Sequence, residues 1–208
     1  MAGKLFEREL IRGWLHEPAA KVRDAIAITH GAGGNCDTPL LVALAQAFAD
    51  AGWLTLRYDL PFRIQGKGAP TPAKAVRDRE GIREAAAELR KLAAARVALC
   101  GTSYGGRQSS MLAAEDPKVA DALLLLSYPL HPPGKPENLR TAHFPDLRTP
   151  SLFVQGTRDA FGSIEEMRAA IEAIPARHEL EVEQGAPHGL PAKLAASVVQ
   201  RFVEFVAR

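Results

Sequence analysis

The chain has only two cysteines, Cys36 and Cys100, and they form neither a disulfide framework nor a metal-ligand pattern. Cys100 sits in an apolar run, the setting of a small core residue rather than a reactive thiol. No metal or other cofactor is expected. Long hydrophobic runs are missing too. None approaches the roughly 18 residues that span a bilayer, and the run Ala122–Leu126 suits a buried strand. The start, MAGKLFEREL, is charged within its first four residues and has no long apolar stretch, which does not fit a secretory signal. The expected location is the cytoplasm. Nor is there an excess of one charge: 26 basic against 24 acidic side chains leave +2, with Lys and Arg spread along the chain. That balance lacks the basic footprint of a nucleic-acid or anionic-membrane binder. No repeat, low-complexity tract or linker interrupts the 208 residues, and 47% apolar with 24% charged is an ordinary globular balance. One domain, 1–208, is expected.

What is present is an alternation of short β-branched or leucine-rich runs with alanine-rich amphipathic stretches. Strands are predicted at 25–29, 53–58, 96–100, 123–127, 151–155 and 178–183. Helices are predicted at 39–50, 74–95, 105–114, 163–174 and 193–207. The segment 5–16 supplies one or two antiparallel edge strands, PFRIQGKGAPTP reads as a loop, and 129–150 is a long proline-rich connection. Continuous apolar strands alternating with helices imply a mostly parallel, doubly wound sheet with helices on both faces, an α/β class. In such a sheet, ligands gather where the carboxyl ends of the strands meet the loops.

Gly101-Thr102-Ser103-Tyr104-Gly105 matches G-x-S-x-G, with an apolar strand (VALC) before it and a helix candidate (GRQSSMLAAE) after it. A sharp strand-to-helix turn exposes the Ser103 hydroxyl at a helix amino terminus, where developing negative charge is favoured. A glycine-rich turn without chemistry is the bland alternative. Ser109 and Ser110 lie inside the helix, where hydroxyls usually bond to backbone or water. His30-Gly31-Ala32-Gly33-Gly34 follows the strand IAIT and lets backbone amides approach a substrate. The amides of Ala32 and Tyr104 are the candidate oxyanion pair, with Gly33 an alternative to Ala32. His30 reads as a loop anchor. The loop lacks the Gly-Lys-Ser/Thr of a phosphate cradle, and no βα turn carries G-x-G-x-x-G.

A serine nucleophile needs a base, and the base needs a carboxylate. Of Asp116, Asp121, Asp146 and Asp159, only Asp159 stands in a turn directly after a strand. Of His131, His143, His178 and His188, the last follows the final strand in EQGAPHGLP, where Gly185 and Gly189 let the loop bend inward. The order Ser103, Asp159, His188 is the order this chemistry takes on an α/β-hydrolase sheet.

The sequence resembles the α/β-hydrolase superfamily over nearly its whole length. More narrowly, it is similar to small lidless predicted hydrolases, a group that includes the hydrolase-like domains of a chromatin-complex regulatory subunit and a testis-expressed protein. The resemblance rests on THGAGGNCDTP, LRYDLPF, CGTSYGGRQSSM, SYPLHPPGKPENLRTAHFPDLRTPSLFVQGTRDAFG and APHGL. It implies Ser103 as nucleophile, Asp159 as acid and His188 as base. The chain departs from many relatives in carrying Pro187-His188 where they have Asp-His. No helical cap is expected, only about twenty proline-rich residues where larger relatives carry one, so an open site for short acyl esters or thioesters follows. Gly31, Gly33, Arg107 and His131 are expected to line it. Arg57, Arg107, Lys135 and Arg158 lie in or beside loops at the active end and would favour an anionic substrate, as in dienelactone-hydrolase-like enzymes, unless solvated or paired. The rival from another class is a non-catalytic binding or scaffold protein of the same fold. An acyltransferase that excludes water is a third reading.

Overall fold

The computed structural model describes residues 3–19, 21–66, 68–93 and 95–208. Among these residues, eight strands form one sheet: β1 (Lys4–Glu7), β2 (Arg12–His16), β3 (Ala25–Thr29), β4 (Leu54–Asp59), β5 (Val97–Thr102), β6 (Ala122–Leu126), β7 (Ser151–Arg158) and β8 (His178–Pro187). Their spatial order is β1-β2-β4-β3-β5-β6-β7-β8. The hairpin β1–β2 pairs antiparallel at one edge, and every other pairing apart from β2–β4 is parallel. The chain reverses direction across the sheet at β3, because β4 lies on one side of it and β5 on the other. That switch point opens a crevice beyond the carboxyl ends of β3 and β5.

Among the described residues, six α-helices accompany the sheet: α1 (Pro39–Asp50), α2 (Pro61–Ile64), α3 (Pro72–Leu92), α4 (Tyr104–Glu115), α5 (Ile164–Ile171) and α6 (Ala195–Ala207). In α1, Leu40, Leu41, Leu44, Ala45, Phe48 and Ala49 recur at helical spacing and are all buried. They meet Val198, Val199 and Phe202 of α6 on one face of the sheet, where Phe48, Trp53 and Phe202 form a ring cluster with centroids 5.8–5.9 Å apart. Helices α3, α4 and α5 cover the opposite face over a second core. The central strands β3 and β6 are buried along their whole length, as strands covered on both faces must be.

Most elements stand where the apolar periodicity puts them, with shifted ends. The predicted helix 74–95 begins at Pro72, because Thr71 accepts the Lys74 N–H at 3.3 Å and Pro72 occupies the first turn. It ends at Leu92, and Ala94 lies outside the described residues, as does Lys67 in the preceding loop. That loop holds α2, a helical turn too short for periodicity to reveal. Strands β7 and β8 run on past 155 and 183 to Arg158 and Pro187, pairing beyond the apolar stretch through a register shift after Gly156. The predicted helix 193–207 opens with a 3-10 turn at Ala192–Leu194. Among the described residues, no helix is long and apolar enough to cross a membrane.

Candidate active site

Ser103 stands between β5 and α4 with φ 49° and ψ −114°, in the left-handed half of backbone space. The turn closes because its neighbours have no side chains. A Cβ on Gly105 would stand 2.6 Å from the His30 carbonyl oxygen, and one on Gly101 would overlap Gly106. The Ser103 N–H donates to the Leu126 carbonyl at 2.8 Å, pinning the turn to β6.

Three loops bring Ser103, His188 and Asp159 together. The bend after β7 holds Asp159, whose Oδ1 accepts the Phe161 N–H at 2.8 Å and whose Oδ2 accepts from Gln155 Nε2 at 2.9 Å. The Asp159 side chain has no exposed surface. His188, in the loop after β8, places Nδ1 2.9 and 2.8 Å from the two Asp159 oxygens. A carboxylate only accepts, so Nδ1 carries the proton and Nε2 is left as acceptor. Nε2 lies 2.8 Å from Ser103 Oγ, in position to accept its proton. Phe161 stacks on the imidazole, with centroids 4.1 Å apart and planes 25° from parallel.

The glycine loop after β3 is oriented from both ends. His30 is fully buried, and burial holds its imidazole below the usual value. Its Nε2 accepts the Leu60 N–H at 3.1 Å, so its proton is on Nδ1, which donates to the Gly31 carbonyl at 2.8 Å. The Gly34 N–H donates to the same oxygen at 3.1 Å. In a trans peptide the N–H points opposite the C=O, so these bonds aim the Ala32 N–H away from them. Arg63 Nη2 donates to the Ala32 carbonyl at 2.7 Å and fixes the Gly33 N–H by the same rule. The Tyr104 N–H, first in α4, has no intrahelical acceptor to satisfy it. Helix α2 ties both sides together. The Phe62 ring lies 5.5 Å from His30 and 5.6 Å from Tyr104, and the Phe62 N–H donates to Asp78 Oδ1 at 2.9 Å.

A cavity of about 410 Å³ opens beside Ser103 and His188. Gly31, Ala32 and Gly33 form one wall, and Leu40, Leu41, Leu190 and Phe161 supply apolar surface. Among the described residues, no Lys, Arg, Asp or Glu lines it.

Arg107 and His131, both expected to bind substrate, are not brought to this cavity. Arg107 sits one helical turn past Ser103 and borders a separate hollow with Arg79, Tyr104 and Gln108. His131 is buried, bonded through Nδ1 to the Pro132 carbonyl at 2.8 Å and facing Glu166 at 3.4 Å. Arg57 is also turned away. It is buried in β4, donating to His16 Nε2 at 3.1 Å, to the Cys36 carbonyl at 2.9 Å and to Asp37. Lys135 and Arg158 are exposed. Ser109 and Ser110 are buried in α4, and Ser110 Oγ lies 2.8 Å from His143 Nε2. Burial pushes the Cys36 thiol up to about 12 and raises the Cys100 thiol further. Among the described residues, no three His, Cys, Asp or Glu side chains stand together as metal ligands would.

Phe161, Gln155 and Arg63 hold the site and escaped the sequence reading. The one hint was GTRDAFG, where an aromatic follows the acid within two residues.

A family model described as an alpha/beta hydrolase domain matches residues 22–201. Among solved structures, Est1E from Butyrivibrio proteoclasticus is similar, with a TM-score of 0.77, 17% identity and 100% coverage of both chains. An alpha-beta serine hydrolase homologue from Coxiella burnetii gives a TM-score of 0.75 at 18% identity, covering 100% of this chain and 97% of that one. A dienelactone hydrolase from Anabaena variabilis gives 0.74 at 20% identity, covering 100% and 98%. At these identities the solved structures establish the fold.

Proposed function

Since the chain belongs to the α/β-hydrolase family, we propose that it is a serine hydrolase that cleaves a small ester or thioester through an acyl-enzyme on Ser103. The observation that carries this reading is the continuous hydrogen-bonded row Ser103 Oγ, His188 Nε2, His188 Nδ1 and Asp159. A protein that only binds has no use for an oriented base beside a hydroxyl on a strained turn.

In the proposed reaction, Ser103 Oγ attacks the carbonyl carbon as His188 Nε2 takes its proton. Asp159 keeps the imidazole in the productive tautomer and stabilises the imidazolium. The tetrahedral oxyanion rests on the Tyr104 N–H and on that of Ala32, with Gly33 as the alternative, at the positive end of α4. His188 then protonates the departing oxygen or sulfur. A water, activated by the same imidazole, hydrolyses the acyl-serine and restores Ser103.

The apolar cavity supports an uncharged acyl group more readily than a carboxylate-bearing one, because a buried anion there has no cation to meet it. A fluorophosphonate probe tests the assignment. Labelling should map to Ser103 and vanish in Ser103→Ala, and Ser103→Ala and His188→Ala should each lose about 10⁴-fold or more in kcat. Labelling that persists in Ser103→Ala contradicts the nucleophile. No labelling and no turnover across an ester and thioester panel would favour a binding or scaffold protein.

A further inference from the structure

The amino-terminal parts of α3 and α4 border a hollow of about 350 Å³. Helical spacing puts Ala75 and Arg79 of α3 on one wall and Tyr104, Arg107 and Gln108 of α4 on the other. The hollow begins one turn beyond the nucleophile, where the Arg107 N–H donates to the Ser103 carbonyl at 2.9 Å.

Its open side-chain nitrogens are donors. Gln108 is 1% exposed, and its Oε1 accepts from Arg79 Nη1 at 2.9 Å. That bond fixes the amide and leaves Nε2, a donor, unused. Arg79 Nη2 has no partner among the described residues, and neither does any nitrogen of the Arg107 guanidinium. Of these atoms only Arg107 Nε is shut off from solvent. Arg107 Nη1 and Nη2, Arg79 Nη2 and Gln108 Nε2 remain open.

The acids beside the hollow do not neutralise it. Asp78 is fully buried and accepts from the Tyr104 phenol and the Phe62 N–H. Glu115 stands 3.4 Å from Arg79 Nε in an exposed position, where water screens the pair. A third arginine, Arg140, is half-buried with no side-chain partner among the described residues. Burial first and the Arg107 charge second lower its pKa, so positive charge gathers here without an anion to balance it.

We propose that this hollow binds the phosphate group of a phosphorylated small molecule. A phosphate offers three terminal oxygens to the open donors where a carboxylate offers two, and it carries a charge of about −1.5 to −2 near neutral pH. The arginine forks and the Gln108 amide donate to those oxygens. The phosphate belongs either to the leaving alcohol or thiol of a substrate cleaved at Ser103 or to a separate effector. The recognition chemistry is the same for both, and the binding does not depend on the serine reading.

Inorganic phosphate, titrated into the protein at low salt and followed by calorimetry, is the probe. Binding should saturate, and Arg107→Gln should weaken it by about tenfold or more, the loss of charge-assisted hydrogen bonds. Arg77→Gln removes the same charge from an exposed position on α3 and should change it by less than about twofold. Gln108→Glu keeps an acceptor for Arg79 but turns a carboxylate on the phosphate, and it should abolish binding. No saturable binding by the unsubstituted protein, or equal weakening in Arg107→Gln and Arg77→Gln, overturns the site. The source is read by adding saturating phosphate to the ester assay. A changed rate for p-nitrophenyl butyrate, which carries no phosphate, identifies a separate effector. An unchanged rate, with competitive inhibition of butyryl-4′-phosphopantetheine cleavage, identifies the leaving group.

Discussion

The Tyr104 phenol donates to Asp78 Oδ2 across 2.6 Å, joining the residue after Ser103 to the middle of α3. Asp78 is fully buried, and burial raises its carboxyl above the usual range while the Tyr104 and Phe62 bonds pull it back. One side chain of α3 thus holds both α4, which begins at the nucleophile, and α2, which braces the glycine loop.

Tyr104→Phe should therefore cost more than a surface change. It leaves a buried acceptor unbonded, a loss of about 1–3 kcal/mol. Urea unfolding measures it. Turnover should fall far less than in Ser103→Ala, since the Tyr104 amide remains.

Phe161→Ala removes the ring that stacks on His188. The imidazole then gains freedom to leave its position between Asp159 and Ser103, and kcat/KM should fall about tenfold. The fluorophosphonate labelling rate should drop in step, because it depends on the same proton acceptor. Unchanged labelling would show that the Asp159 bonds alone fix the ring.

Gly105→Ala puts a methyl 2.6 Å from the His30 carbonyl oxygen and 2.8 Å from Thr29 Cγ2. The elbow must separate from β3, at a cost of about 1–3 kcal/mol. The displaced Ser103 should lose most of its activity. A thermal melt and a kcat measurement on the same sample distinguish this from a neutral change.

His143 is held down to about 4, by burial first and then by the nearby Arg107 charge, against an opposing pull from Asp146. The unfolded chain takes up that proton near 6.5, so the native state is progressively disfavoured as pH falls from about 6.5 to about 4. Stability from this group is complete above 6.5. His143→Gln can keep a bond to Ser110 and cannot titrate, so it should lose roughly 1–3 kcal/mol less than the unsubstituted protein over that interval. Urea unfolding at both ends of the range gives the difference.

The uncharged cavity makes a prediction about substrates. p-Nitrophenyl butyrate should be cleaved at least about tenfold faster than the mono-p-nitrophenyl ester of succinate, whose free carboxylate would be buried unpaired. Its rate should also be insensitive to salt. A faster succinate ester, slowed by salt, would return Arg107 or Arg158 to the site.

The order of strands and helices, and the turn holding Ser103, were legible in the chain itself. Apolar periodicity is a local property, and the glycines around Ser103 announce a turn that only small residues can close. Asp159 and His188 were legible because each follows a strand that must end at the same edge of a parallel sheet. The failures of reading were matters of direction. Arg107 follows Ser103 by one helical turn and His131 follows β6, but the first borders another hollow and the second is bonded to Pro132 and faces Glu166. Gln155 and Phe161 meet Asp159 and His188 through strands far apart in the chain, and no local pattern encodes that. The sequence alone determined which residue types stood at the strand ends. Which side chains meet, and the apolar walls they meet within, were decided only by tertiary packing, because contact depends on rotamer and register rather than on order along the chain.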